Sequence, residues 1–201
     1  MINSVCVYCG SSPGNHQIYI EAGRALGRAI AASGLRLVYG AGTRGVMGAL
    51  AEGAREAGGK ITGIIPRFLV PKEATAEGLS GLDDLLLTED MHQRKHAMFE
   101  RSDAFVALPG GIGTAEEIVE IMTWAQLGRH RKPVVLANIA GFWDPFLAFM
   151  DHMKAEGFIH TAHRVRPIVV EDAADVVPAI LQAASETETD AGGDAAVIER
   201  M

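Results

Sequence analysis

The segment Ala104–Ile118, AFVALPGGIGTAEEI, passes from a fully apolar run through a glycine-rich turn into a stretch with helical periodicity. Residues 104–108 carry no polar side chain, which is typical of a strand buried on both faces. Gly110, Gly111 and Gly113 let the backbone approach a ligand closely, and the unpaired amides that begin the next helix favour an anion. The segment therefore predicts a strand, a phosphate-binding turn and a helix, in that order.

The same alternation of apolar runs and helical segments extends over most of the chain. Strand-like runs occupy residues 2–8, 35–39, 61–65, 85–87, 104–108, 134–137 and 168–170. Strands without a polar face that alternate with helices form a parallel sheet covered on both sides. The sequence therefore predicts an α/β fold: a doubly wound, Rossmann-like domain with a mainly parallel sheet and helices on both faces. The order of elements between residues 66 and 85 is not readable from the pattern.

Three glycine-bearing turns follow predicted strands, at residues 9–14, 40–48 and 109–114. In open sheets of this kind, ligands bind beyond the carboxyl ends of the strands. We therefore expect the three turns to meet at one crevice. The candidate ligand contacts in the first two turns are Gly10, Ser11, Gly42 and Gly45.

The second turn spells GxGxxG at Gly40, Gly42 and Gly45, which raises the alternative of a dinucleotide site. That fingerprint belongs to the first strand of its unit, whereas this copy follows the second predicted strand. It also expects an acidic residue about 20 positions later, where the chain has Thr62–Ile65. We therefore favour a phosphate-contacting or close-packing turn.

Length and composition fit one globular domain with a substantial core. The chain has 201 residues, 48% of them hydrophobic, and a formal net charge of −7, which argues against nucleic acid polymers and anionic membranes as partners. There is no apolar run of about 18–20 residues and no secretory signal, so we expect a cytoplasmic protein without membrane contact. We expect a catalytic domain over residues 1–184 and an acidic, disordered tail over 185–201.

Two pairs of residues could suggest a metal site. Cys6 and Cys9 form CVYC, but residues three apart on a strand point to opposite faces, and no further ligands stand at metal-binding spacing. His92 and His96 share a helix face, yet no acidic residue completes a known zinc arrangement. We predict buried thiols, no metal, and histidines that lie on the surface or support the residues of the site.

The helix expected over residues 90–101 carries two cations in an apolar stripe. The stripe set by Met91 and Met98 passes through Arg94 and Lys95, and a buried charge must be paired or bound to a ligand. Snorkelling at the helix edge is the alternative.

The segment TAEE also allows two interpretations. A capping box would have Thr114 cap the helix while Glu117 reaches back to the Thr114 amide, and the spacing alone does not decide between this and a ligand site.

Two motifs together resemble a known family. PGGIGTAEE at 109–117 and MHQRK at 91–95 are similar to the PGGxGTxxE and MHxRK signatures of the Lonely guy (LOG) family of cytokinin-activating phosphoribohydrolases. The resemblance extends over roughly residues 2–181. Members have often been labelled lysine decarboxylases, but no lysine context for pyridoxal phosphate is visible in this chain.

The resemblance implies hydrolysis of the N-glycosidic bond of adenosine 5′-monophosphates, with or without an N6 substituent, to a free base and ribose 5-phosphate. It implies no cofactor, a small-molecule nucleotide substrate and a homodimer. A non-catalytic binding protein for nucleotides or a molybdopterin-type cofactor, with the same fold, is the alternative. The implied catalytic residues are Arg94 and Glu117. The implied or expected substrate contacts are Glu73, Lys95, Gly110, Gly111, Ile112, Gly113, Thr114, Ala115, Glu116 and Thr123.

This chemistry explains why a carboxylate stands next to an anion-binding turn. Cleavage of a ribosyl bond builds positive charge on the sugar, which a carboxylate stabilises. We expect the amides of residues 111–114 to hold the 5′-phosphate while Glu117, about one helical turn further, meets the ribose. Arg94 would either pair with Glu117 and keep it ionised or contact the substrate, and Lys95 would add positive charge for the phosphate.

Overall fold

The computed structural model describes residues 1–159 and 166–186. The strands are β1 (Ser4–Tyr8), β2 (Arg36–Tyr39), β3 (Ile61–Pro66), β4 (Asp84–Thr88), β5 (Ala104–Ala107), β6 (Val134–Ala137) and β7 (Ile168–Val170). In this part of the chain they form one seven-stranded sheet in the order β4-β3-β2-β1-β5-β6-β7, with every neighbouring pair parallel. The predicted α/β fold is confirmed.

Helices cover both faces of the sheet. They are α1 (Gln17–Ala32), α2 (Gly45–Glu56), α3 (Val70–Glu73), α4 (Ala76–Ser80), α5 (Met91–Glu100), α6 (Ile112–Gln126), α7 (Asp144–Ala155) and α8 over 176–186. One apolar core lies between the sheet and α1, α2 and α8, and a second lies between the sheet and α5, α6 and α7. None of the helices in the described ranges is long and apolar enough to cross a membrane.

Alternate residues of β1 enter the two cores, which explains why the strand has no polar face. Val5 and Val7 belong to the first core, and Cys6 and Tyr8 belong to the second. Cys9 lies with the first core, so the two cysteines point to opposite faces as predicted, and both thiols are free and buried. Burial raises the pKa of both thiols.

The segment that the pattern left unread contains two short helices, α3 and α4, with no buried residue in either. At the other end of the chain, α8 continues through residue 186. Residues 187–201 of the predicted tail lie outside the described residues.

The order of strands reverses between β1 and β5, which pair with each other in the middle of the sheet. The turns after these two strands therefore diverge to opposite sides and leave a crevice at their carboxyl ends. The functional site is expected at this crevice.

Candidate active site

The three glycine turns meet at the crevice, as the sequence predicted. The Gly10 N–H donates to the carbonyl of Pro109 at 3.1 Å, and the Met47 N–H donates to the carbonyl of Gly10 at 3.0 Å. The Val46 N–H adds a longer bond of 3.4 Å to the carbonyl of Ser12. Main-chain hydrogen bonds therefore join the first turn to both of the others.

Most glycines in these turns are required by packing. A Cβ on Gly110 would lie 2.2 Å from the Thr114 hydroxyl oxygen, and one on Gly42 would lie 2.6 Å from the Met47 sulfur. Gly45 has a φ of +61°, and a Cβ there would lie 2.5 Å from the backbone of Ser11. The close-packing interpretation of the GxGxxG segment is therefore confirmed. Substrate contacts by Gly10, Ser11, Gly42 and Gly45 stay a prediction.

Gly111 and Gly113 are different, because neither packing nor backbone conformation requires a glycine there. A Cβ on either would meet no atom within 4 Å. Neither residue has a positive φ. Both are exposed, and Ile112 between them is 90% exposed. The turn is thus open on the side from which a ligand would approach.

Helix α6 begins at this open turn without a side-chain cap. Gly111 occupies the N-cap position with an extended backbone, φ −89° and ψ −159°, and no side chain accepts from the first-turn amides. Thr114 is the third helical residue and is buried. The capping-box alternative is therefore wrong, because the helix starts two residues before Thr114. The first-turn amides remain available for an anion.

Arg94 is buried, with 5% of its surface exposed. Its Nε donates to the carbonyl of Ile64 and its Nη2 to the carbonyl of Gly40, both at 3.2 Å. Within the described residues no carboxylate forms an ion pair with it. The snorkelling alternative is wrong for Arg94, because its charge lies inside the protein. Its Nη1 contacts the Met91 sulfur at 3.9 Å. A buried cation held by neutral acceptors still lacks an anionic partner.

Lys95, the next residue on α5, has carboxylate partners. Its Nζ contacts Glu116 at 2.6 Å and Glu120 at 3.1 Å, and 12% of its side chain is exposed. These ion pairs tie α5 to α6 and occupy Glu116. Contacts of Lys95 and Glu116 with a substrate stay predictions.

Glu117 lies half-buried on α6, and its pKa is raised to about 7. Burial is the main cause, and the charge of Arg94 opposes it without cancelling it. The charges of Glu116 and Glu73 add to the rise. Arg94 and Glu117 make no direct ion pair in the described part of the chain. The expected ion pair is therefore not formed, and Arg94 favours the ionised form of Glu117 only through its charge at a longer distance.

Known proteins resemble this chain over most of its length. The family model described as "Possible lysine decarboxylase" matches residues 47–180. The cytokinin riboside 5′-monophosphate phosphoribohydrolase of Rhodococcoides fascians is 47% identical over 88% of this chain and 88% of its own length. A rice protein (Oryza sativa subsp. japonica), named probable cytokinin riboside 5′-monophosphate phosphoribohydrolase LOGL9, is 47% identical over 86% of this chain and 75% of its own.

The chain belongs to the LOG family of phosphoribohydrolases. The fold of this LOG-family chain also occurs in solved structures with other titles. The molybdenum cofactor carrier protein of Chlamydomonas reinhardtii superposes with a TM-score of 0.69 at 25% identity, covering 92% of this chain and 99% of that one. The molybdenum cofactor binding protein of Rippkaea orientalis gives 0.67 at 20%, covering 90% and 97%. The second of these likenesses concerns the fold alone.

Two outlying residues suggested by the LOG resemblance differ in their distance from the site. Glu73 ends α3, and its carbonyl accepts from the Thr43 N–H at 2.9 Å. The charge of its carboxylate adds to the rise in the pKa of Glu117. Thr123 is exposed further along α6, where its hydroxyl donates to the carbonyl of Val119 at 2.8 Å.

Ala115, another suggested substrate contact, is half-buried in the first turn of α6.

Sequence reasoning missed the roles of two residues of this LOG-family site. A Cβ on Gly40 would lie 2.0 Å from Nη2 of Arg94, so only glycine leaves room for the guanidinium. Ala41 is fully buried with a φ of +57°, a conformation that is strained for alanine. The glycine pattern pointed to Gly40, but nothing in the sequence pointed to the guanidinium that it accommodates.

The predicted histidines lie on the surface: His92 and His96 are both exposed. In the two described ranges no three His, Cys, Asp or Glu side chains come together in an arrangement that could hold a metal ion.

Proposed function

We propose that this chain hydrolyses the N-glycosidic bond of adenosine 5′-monophosphates, plain or N6-modified, to free base and ribose 5-phosphate. One observation carries the proposal: a carboxylate with a raised pKa stands one turn beyond an open, uncapped helix start, close to a buried cation that lacks an anionic partner. The relatives named as phosphoribohydrolases support the same activity.

The proposed substrate spans the two parts of the site. The amides at the start of α6 bind the 5′-phosphate, where Gly111 and Gly113 leave space for its oxygens. Glu117 then faces the ribose. The bond between C1′ and the base nitrogen breaks, water supplies the new oxygen on C1′, and the base leaves with a proton.

Glu117 acts in its ionised form in this scheme. Its carboxylate stabilises the positive charge that develops on the sugar and accepts the proton of the attacking water. A pKa of about 7 places the residue where proton transfer is efficient at neutral pH. Arg94 has no anionic partner in the described part of the protein, so its positive charge is available to a bound phosphate or to a ribose oxygen.

A homodimer is the proposed assembly. One side of α6 and its C-cap carries Val119, Thr123 and Leu127, which recur every four residues. Val119 is 43% exposed, and the C-cap residue Leu127 is 71% exposed. Phe149 on α7 is 57% exposed. Exposed apolar surface of this kind is typical of an interface with another protein. Light scattering is expected to give twice the chain mass of 21.4 kDa, and Val119→Glu is expected to give the single mass.

The decisive experiment is an assay for free base. The protein is incubated with AMP and with isopentenyladenosine 5′-monophosphate, and adenine and isopentenyladenine are quantified by chromatography. We expect release from at least one substrate, and we expect Glu117→Gln to abolish release while AMP binding persists. Binding of nucleotide without any release by the unmodified protein would instead favour the non-catalytic alternative, and full activity of Glu117→Gln would overturn the role of that residue.

A further inference from the structure

A second cavity lies on the face of the sheet that α1 and α2 cover. Its volume is about 340 Å³, within the range of small-ligand pockets. It is bounded by α1, the end of β2, α2 and α4, and neither Arg94 nor Glu117 lines it. Its side chains with polar groups are Arg24, Tyr39, Thr43, Glu52 and Arg55.

Tyr39 brings an unpaired polar group to this cavity. The residue is 1% exposed, and its hydroxyl makes no hydrogen bond with any described residue. Among the buried and half-buried residues that the structure describes, Ser102 Oγ is the one polar side-chain atom that is both sealed from solvent and without a hydrogen-bond partner. The Tyr39 hydroxyl also lacks a partner but is not sealed in this way, so it has access to the cavity that the residue lines. A buried hydroxyl without a partner is costly unless water or a ligand binds it. This hydroxyl is therefore a donor directed at the cavity.

The cavity also has an excess of positive charge. Arg24 contacts Glu52 at 2.5 Å and Glu56 at 2.6 Å, so the one carboxylate that lines the cavity is already paired. Arg55 forms no ion pair or side-chain hydrogen bond with the described residues. Burial raises the pKa of Tyr39, and the charge of Arg55 opposes that rise, which indicates that the two groups lie close together.

We propose that this cavity binds a small oxyanion of the phosphate type, free or as a sugar phosphate, between the Tyr39 hydroxyl and the Arg55 guanidinium. The planar guanidinium offers several donors to phosphate oxygens, and the phenol adds one more. Thr43 and Gly78 at the opposite wall already contact each other, since a Cβ on Gly78 would lie 2.2 Å from the Thr43 methyl carbon. A bound anion would bridge the end of β2, which carries Tyr39, and the last turn of α2, which carries Arg55.

The test is calorimetric titration of the full chain with inorganic phosphate and, separately, with ribose 5-phosphate. We expect two binding events, one at the start of α6 and one at the cavity. Arg55→Gln and Tyr39→Phe should each weaken the cavity event at least tenfold. Gly113→Ala should weaken only the other event. The better ligand of the two identifies the source of the phosphate.

Arg28→Gln is the matched control, because it removes the same charge from the exposed Arg28–Glu56 pair, which does not line the cavity. Tyr39→Phe removes a hydroxyl that has no partner among the described residues, so it should fold normally even if Arg55→Gln does not. Base release from AMP in phosphate-free buffer should be unchanged in both cavity variants. A single event that Gly113→Ala weakens, or titrations that are the same in Tyr39→Phe, Arg55→Gln and Arg28→Gln, would overturn the proposal.

Discussion

The turns at 40–45 and 110–113 are both rich in glycine, yet they use glycine for different reasons. In the first turn, added Cβ atoms would meet the Arg94 guanidinium, the Met47 sulfur or the backbone of Ser11. In the second, Gly111 and Gly113 face open space. The first turn is glycine-rich because the protein fills it. The second is glycine-rich at two positions where the protein itself needs no glycine, and the phosphate site proposed above would account for both.

The filled turn should tolerate substitution least. Gly45→Ala places a Cβ in the left-handed region, where φ is +61°, and within 2.5 Å of the Ser11 backbone. Strain and overpacking together should lower the free energy of unfolding by about 3 kcal/mol. Chemical denaturation measures this loss. A change below about 1 kcal/mol would contradict the packing account of this turn.

At the open site, Glu117 should make the free energy of unfolding depend on pH. The pKa of Glu117 is about 7 in the folded chain and near the ordinary 4.5 when unfolded, so the folded state binds the extra proton between these values. Its stabilising contribution is complete below about pH 4.5 and is lost as the pH rises through 7. The free energy of unfolding should fall by roughly 2 to 3 kcal/mol over this window.

The matched control for this pH effect is Glu117→Gln, which keeps the shape of the side chain and cannot ionise. Denaturation of both proteins below and above this window, at about pH 4 and about pH 8, isolates the contribution of this residue, since all other groups are shared. We expect the variant to be the more stable protein at the higher pH. Parallel pH dependence in the two proteins would show that Glu117 titrates normally.

In the filled turn, Ala41 adopts a backbone conformation that normally favours glycine. Ala41 has a φ of +57° and no exposed surface. Ala41→Gly would relieve the strained backbone, but it would also remove a buried methyl group and increase the freedom of the unfolded chain. These effects oppose each other, so we expect a change within about 1 kcal/mol, measured by the same denaturation. If Ala41→Gly lowered the free energy of unfolding by as much as Gly45→Ala, the expected balance between these effects would be wrong.

The sequence predicted the strands well because each is bounded by glycine, proline or polar residues and most are buried on both faces. It did not predict α3 and α4, which have four and five residues and bury none of them. At the site, it predicted the residue types but not their partners. Arg94 donates to the carbonyls of Gly40 and Ile64. Every residue type has a backbone carbonyl, so the sequence does not show which residues accept these hydrogen bonds.

The same limit applies to the two kinds of glycine. Gly110, Gly111 and Gly113 are indistinguishable as letters, and only the positions of Thr114 and the Gly10 amide show that the first is required by packing. The raised pKa of Glu117 is also a property of the assembled site, because burial and the charges of Arg94, Glu116 and Glu73 all depend on the fold.

Gly113→Ala is the smallest change in stability and the sharpest test of the comparison. Gly113 lies in the first turn of α6, and a Cβ added there would meet nothing within 4 Å. Alanine should therefore fit and should raise the free energy of unfolding by up to about 1 kcal/mol through its helix propensity. The methyl group would nevertheless occupy the space proposed for the phosphate. We expect KM for AMP to rise at least tenfold in a protein that is as stable as the original or more so.

Gly110→Ala is the matched contrast to this variant, because its Cβ would lie 2.2 Å from the Thr114 hydroxyl oxygen and should destabilise the fold itself. The two substitutions add the same methyl group three residues apart, so a difference between them reports the surroundings and not the chemistry of the change. If Gly113→Ala bound AMP normally, the open space would have no ligand to explain it, and the distinction between the two turns would fail.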